Sequence, residues 1–88
     1  LHANYPNPFN PQTVVPYSLP RAGLVELTVH DAAGRLVRTL LSEQRPAGSG
    51  DVQWYGRDNA GRSVASGTYF ARLQVAGETQ TRPMVLVR

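Results

Sequence analysis

Val25-Glu26-Leu27-Thr28-Val29-His30 decides the fold class. Val25, Leu27 and Val29 share one side of an extended chain and Glu26, Thr28 and His30 the other, the two-residue period of a half-buried antiparallel strand. Asp31-Ala32-Ala33-Gly34-Arg35 follows with turn chemistry, Gly34 being free to take a positive φ, and leads into Leu36-Val37-Arg38-Thr39-Leu40-Leu41 as the return strand of a hairpin. There the alternation breaks. If Val37 and Leu40 both reach the core, the three-residue step between them predicts a bulge near Arg38 or Thr39. An amphipathic helix over Leu36 to Glu43 is the competing local reading.

Upstream, Val15, Tyr17 and Leu19 alternate until Pro20, and Pro16 within them places the strand at a sheet edge because it cannot donate to a neighbour. Asn4-Tyr5-Pro6-Asn7-Pro8-Phe9-Asn10-Pro11 precedes it. Its prolines exclude helix and central strand, so residues 1–12 read as a stiff arm whose Tyr5 and Phe9 cover apolar surface of the domain at 13–88. A proline-rich linker is the alternative.

Downstream, Gln44 to Gly50 reads as an exposed loop and Val52 and Trp54 as a short strand with the single Trp plugging the core. Gly56 to Gly61 is a turn, Val64 a brief strand and Ser66-Gly67 a bend. Tyr69, Ala71, Leu73 and Val75 then alternate with Phe70, Arg72 and Gln74. Ala76-Gly77-Glu78 closes a hairpin into a last strand, Thr79 to Arg88, with Met84 and Leu86 on one side and Val85 and Val87 on the other. About seven short strands joined by hairpin loops describe an all-β, antiparallel β-sandwich.

Eighty-eight residues make one small domain. It starts at Leu1 rather than Met, which suggests a piece of a longer polypeptide with further domains upstream. The absence of cysteine excludes disulfides, zinc-thiolate sites and thiol nucleophiles. All nine basic residues are Arg, the net charge is +3, and the arginines are spread along the chain rather than gathered on one face. That distribution argues against a nucleic-acid partner. No apolar run approaches the ~20 residues of a transmembrane helix.

Catalytic chemistry finds little support. His2 and His30 are the candidate bases; His30 occupies a solvent-facing strand position and its neighbour Asp31 projects to the opposite face. Asp51 and Asp58-Asn59 lack the spacing of a calcium loop and read as turn formers. The glycines form no phosphate-binding motif, so no cofactor is implied. Tyr55 and Phe70, turned outward beside Trp54 and Tyr69, are the residues that a sugar-stacking platform would use.

The Asn4 to Pro11 opening, the Thr13 to Pro20 edge strand, Val29 to Arg35, Trp54-Tyr55-Gly56-Arg57-Asp58 with Gly61, Ala65 to Phe70, and Thr81 to Arg88, in this order and spacing, resemble a known family. The chain is similar to the type A C-terminal sorting domain of type IX (Por) secretion cargo, related to the immunoglobulin-like domain of the flagellar hook-capping protein. It departs from the usual pattern at Pro16, Tyr55 and Pro83; Pro83 removes a ladder donor, which predicts an edge or bulged last strand. The resemblance implies an immunoglobulin-like β-sandwich at the C-terminus of a larger exported protein, exported through the periplasm to the cell surface or medium and read by outer-membrane secretion machinery.

The functional expectation is therefore a non-enzymatic recognition domain. Its last strand offers an edge for β-augmentation, with Met84, Val85, Leu86 and Val87 as side-chain contacts and Arg82 and Arg88 as charges. The partners are the secretion machinery and upstream domains of the same polypeptide. Self-association into a hook-cap-like or filamentous assembly, and a carbohydrate-binding module, are the other readings.

Overall fold

The computed structural model describes all 88 residues. It contains six strands and no helix: β1 (Thr13–Leu19), β2 (Gly23–His30), β3 (Leu36–Arg45), β4 (Gly48–Trp54), β5 (Gly67–Val75) and β6 (Glu78–Leu86). β3, β2, β5 and β6 lie in that order in one antiparallel sheet, and β1 and β4 pair as a second. The two sheets enclose a single apolar core. The expected seventh strand is absent because Val64 lies in the β4–β5 crossover, where its N–H donates to the Gly56 carbonyl (3.0 Å) and Arg57 and Ser63 form a lone bridge.

β2 is central, and period-two patterning is obeyed without exception there: Val25, Leu27 and Val29 are fully buried. β5 continues the pattern with Tyr69, Ala71 and Leu73 buried. Its hairpin to β6 is a two-residue turn in which Ala76 (φ 52°) and Gly77 (φ 78°) both take positive φ, matching the right-handed twist of the flanking strands.

β3 is a strand throughout, so the helical alternative over Leu36 to Glu43 is excluded. Leu27 pairs with Leu41 and Thr28 with Thr39, leaving Leu40 extra; Val29 pairs with Arg38 and His30 with Leu36, leaving Val37 extra. Two bulges thus bracket Arg38-Thr39 instead of one falling within it. Leu41 reaches the core, while Val37 and Leu40 pack at its margin.

The expected loop from Gln44 to Gly50 shrinks to Pro46-Ala47, because β3 extends to Arg45 and β4 begins at Gly48. Gly50 serves packing rather than a loop. Gly50 faces Tyr17 in register, and a Cβ at Gly50 would stand 2.5 Å from the Tyr17 hydroxyl. The ring lies over a strand position that only glycine leaves open.

Trp54 is the centre of the core. Its ring lies 5.7 Å from Phe9 and 5.3 Å from Tyr69 in tilted and edge-on arrangements, and its Nε1–H donates to the Arg57 carbonyl at 2.9 Å. An indole enclosed in this way, with its one donor satisfied, stabilises the domain by on the order of several kcal/mol.

The N-terminal arm joins both sheets. Its three X–Pro bonds, Tyr5-Pro6, Asn7-Pro8 and Asn10-Pro11, are cis. The first half follows β1: the His2 backbone N–H donates to the Pro16 carbonyl (3.0 Å), and Tyr5 and Val14 exchange bonds of 3.0 and 2.9 Å. Asn4 is buried there, donating through Nδ2 to Thr13 Oγ1 at 3.0 Å. The second half crosses to β6, where Phe9 forms a parallel bridge with Leu86. Of the two aromatics expected to cover the domain, only Phe9 does so; Tyr5 remains 56% exposed.

Candidate functional site

β6 is an edge strand, as Pro83 predicts. Its outward edge is identified by Val85, whose N–H donates to Asn7 Oδ1 (2.9 Å) and whose carbonyl accepts from the Phe9 N–H (3.0 Å). Val87 N–H donates to the Phe9 carbonyl at 2.9 Å. Alternate residues of an antiparallel strand present their backbone groups to the same side, so Thr79, Thr81 and Pro83 also face outward. The missing donor of Pro83 therefore costs no bond to β5. The edge has two halves: Val85 to Val87, bonded along the backbone by the arm, and Thr79 to Pro83, whose outward backbone groups are open although Leu1 donates to the Gln80 side chain and accepts from that of Arg82.

Of the six residues expected to meet a partner, Arg82 and Met84 to Leu86 lie on β6 and Val87 and Arg88 follow it, and they face different ways. Met84 and Leu86 are buried at 0% and 1% exposure and hold β6 to the core. Val85 and Val87 are exposed, at 36% and 49%. Arg82 is exposed and donates through Nε to the Leu1 carbonyl at 3.2 Å. Arg88 is fastened to the domain: its guanidinium donates to Val64 O and Gly56 O, both at 2.6 Å, and its backbone N–H to Ser66 Oγ at 2.8 Å.

Register brings together residues that the sequence pattern considered separately, and adds Leu36 to them. Leu36, His30, Phe70 and Pro83 pair in a row across all four strands on the outer face of the larger sheet. Leu36 is exposed and Phe70 half-buried. Val85 continues this strip beside Pro83. Strand alternation turns each residue outward; only the pairing of four strands shows them adjacent.

On the inner side Tyr69 stands opposite Met84 and donates its hydroxyl to the Ala65 carbonyl at 2.6 Å. Burial, reinforced by the nearby Asp31 charge and opposed by Arg88, pushes its ionisation above the ordinary phenol value. It serves as a neutral hydrogen-bond donor.

The other candidates have local partners. His30 Nε2 meets Thr28 Oγ1 at 2.9 Å, and His2 Nε2 meets Ser18 Oγ at 2.8 Å. Neither imidazole hydrogen-bonds to a carboxylate. Asp58 Oδ1 accepts the backbone N–H groups of Ala60 and Arg62 as an Asx turn does. No group of three His, Cys, Asp or Glu side chains comes close enough to hold a metal ion. Tyr55 follows β4 of the smaller sheet and Phe70 lies on the outer face of the larger, so the two do not share a platform.

Residues 11–79 match the family model of the FlgD Ig-like domain. The chain belongs to this family. FlgD from P. aeruginosa is similar in structure, with a TM-score of 0.67 and 27% identity, over 84% of this chain and 59% of that one. PorZ, described as an essential bacterial surface component of the type IX secretion system of human oral-microbiomic Porphyromonas gingivalis, aligns with a TM-score of 0.69 and 22% identity over 98% of this chain. Dimeric latent PorU from the same organism aligns with a TM-score of 0.75 and 20% identity over 97%. This chain spans about a tenth of each, 11% of PorZ and 9% of PorU. The PorZ and PorU alignments include most of β6, whose residues from Gln80 onward lie beyond the span of the family match. No curated protein sequence matches the chain.

Proposed function

We propose that this FlgD Ig-like domain is a non-catalytic sorting domain at the C-terminal end of a larger exported protein, recognised by type IX secretion machinery at the outer membrane. The observation that carries this reading is the alignment over 97–98% of the chain with modules that make up about a tenth of PorZ and PorU. The geometry of β6 is consistent with a docking role. Its open half offers the Thr79 and Thr81 backbone groups for strand addition, and the strip from Leu36 to Val85 offers apolar side chains next to it. In this reading Val85, Val87 and Arg82 meet the partner, Met84 and Leu86 hold the strand in place, and Arg88 fixes its end. The destination is the cell surface or the medium, by way of the periplasm.

The test is a reporter carrying a periplasmic export signal, fused ahead of residues 1–88 and expressed in a type IX-competent bacterium. Deleting Val85 to Arg88 would remove Leu86 from the core, so the informative variant is Val85→Ser with Val87→Ser, both exposed. The parent fusion is expected outside the cell and the double variant to be retained in the periplasm by tenfold or more. A parent fusion that stays in the periplasm, or a double variant exported as well as the parent, would overturn the reading.

A further inference from the structure

β3 and β4 are edges of different sheets with no ladder between them, and a cleft of about 120 Å3 opens where they face each other. Leu40, Val52, Trp54 and Tyr55 form its apolar lining, with Gln53, and Arg38 and Arg57 stand among them. Arg38 breaks the strand pattern. It pairs with Val29, whose side chain is fully buried, so Arg38 also projects to the inner side of its sheet. The bulges at Val37 and Leu40 bracket it and aim it there, and the opposing two-stranded sheet leaves that margin uncovered.

An inward-facing arginine ordinarily has a carboxylate partner. The ion pairs of this domain are Arg35–Asp31, Arg45–Glu43 and Arg62–Asp58, so neither Arg38 nor Arg57 is neutralised. Backbone carbonyls hold both instead. Arg38 Nη1 donates to Asp58 O and Arg57 Nη1 to Gly61 O, each at 2.9 Å. The Asp58 carboxylate itself is engaged by its own turn and by Arg62. Trp54, donating to the Arg57 carbonyl at 2.9 Å, fixes the backbone from which the second guanidinium extends. Each guanidinium carries five N–H donors, and each makes one protein hydrogen bond.

We propose that this cleft binds a carboxylate carried on a small apolar group, such as an arylalkanoate or the free C-terminus of a peptide ending in an aromatic or branched residue. Two anchored, uncompensated guanidinium groups supply the complementary charge and the planar forks that suit a carboxylate. The space beside them is close to that of a cavity that accepts one benzene-sized group. A bare phosphate would meet the arginines and leave Leu40, Val52 and Trp54 uncovered. Because all the lining side chains lie outside β6, this site operates independently of the export reading.

The test is titration of the 15N-labelled domain with 3-phenylpropanoate, with its uncharged amide, and with inorganic phosphate, followed by NMR. The acid is expected to move the Trp54 Nε1–H and the Arg38 and Arg57 Nε–H signals. The amide and phosphate are each expected to bind at least tenfold more weakly. Arg57→Gln, at an exposed position, should weaken the acid at least fivefold while the remaining spectrum reports an intact fold. Equal affinity for the amide or for phosphate, signal changes located elsewhere, or an unaltered affinity in Arg57→Gln would overturn the proposal.

Discussion

Asp31-Ala32-Ala33-Gly34-Arg35 and Asp58-Asn59-Ala60-Gly61-Arg62 differ at one residue, Ala32 against Asn59, and fold into the same turn. In each, the Asp Oδ1 accepts the N–H groups two and four residues on, at 3.0 and 2.9 Å. In each, the Gly N–H returns to the Asp carbonyl at 2.9 Å, and the Arg Nε approaches Oδ2, at 2.9 Å for Arg35 and 3.4 Å for Arg62. Yet the first turn only joins β2 to β3, whereas the second stitches the β4–β5 crossover onto β3. Asn59 makes that difference: its N–H donates to the Val37 carbonyl (3.0 Å) and its Oδ1 accepts the Thr39 N–H (2.9 Å). Local chemistry makes the turn, and three bonds to β3 give it a tertiary role: one from the Asn59 backbone, one to its side chain, and one from Arg38 to the Asp58 carbonyl. The bonded carbonyl and N–H flank Arg38, so the same residue steadies the bulged part of β3.

Glycine substitutions should break the comparison most strongly. At Gly34 (φ 86°) and Gly61 (φ 82°) an added Cβ would meet open space, so only backbone strain opposes Ala there. Each should cost about 1–2 kcal/mol, and the two costs should be equal. Gly56, which leads into the second turn at φ 69°, has no such freedom. A Cβ would stand 2.8 Å from Arg88 Nη2 and 3.3 Å from the Pro11 carbonyl. Gly56→Ala should therefore cost roughly 2–4 kcal/mol, strain and crowding together. Urea unfolding of the three variants measures this, and equal losses at all three would mean that the surroundings of the second turn add nothing.

Exchanging the differing residue sharpens the comparison at smaller scale. Asn59→Ala writes the first turn into the second position and removes the acceptor of the Thr39 N–H, for an expected loss of about 0.5–1.5 kcal/mol. The reverse change, Ala32→Asn, sits on an exposed turn and should stay within about 0.5 kcal/mol of the parent. Hydrogen exchange at the Thr39 amide separates the two: it should accelerate in Asn59→Ala and be unaffected in Ala32→Asn.

The same contrast marks what a sequence makes legible. Turn residues act on their immediate neighbours, so both Asp-Gly segments are readable as turns, as are β2 and β5 from their unbroken alternation. Asn59 has no local signature for its partner, since Thr39 lies on a strand reached only after folding. The bulges of β3 show the same limit: a three-residue step between Val37 and Leu40 reveals an irregularity, but pairing with β2 decides which residues are extra. Gly50 reads as loop because composition cannot show Tyr17 occupying the space of an absent side chain. For the candidate site, alternation already separates Met84 and Leu86 from Val85 and Val87, and burial divides them along that line. The arm is readable as non-helical from its prolines, whereas its crossing from β1 to β6, which covers half of the proposed docking edge, follows from no periodicity at all.

The subtlest difference between the two turns concerns their carboxylates. Asp31 and Asp58 are both held below the ordinary value of 3.8, chiefly by the backbone N–H of Arg35 and of Arg62 respectively, with the arginine side chains adding to it and desolvation opposing. A depressed folded-state value means that the unfolded chain binds protons first as pH falls. The stabilisation is therefore complete above about pH 4 and is lost as pH descends through the folded-state values. Carboxyl 13C titration should give midpoints below 3.8 at both sites. Because a fixed N–H bond dominates, added salt should move either midpoint little; the closer Arg35 contact should make Asp31 the more salt-sensitive of the two. Asp31→Asn and Asp58→Asn should each flatten part of the acid limb in thermal melts between about pH 2 and 6, by similar amounts. A limb left unchanged by both substitutions would show that the turns, for all their shared geometry, do not carry the acid sensitivity of the fold.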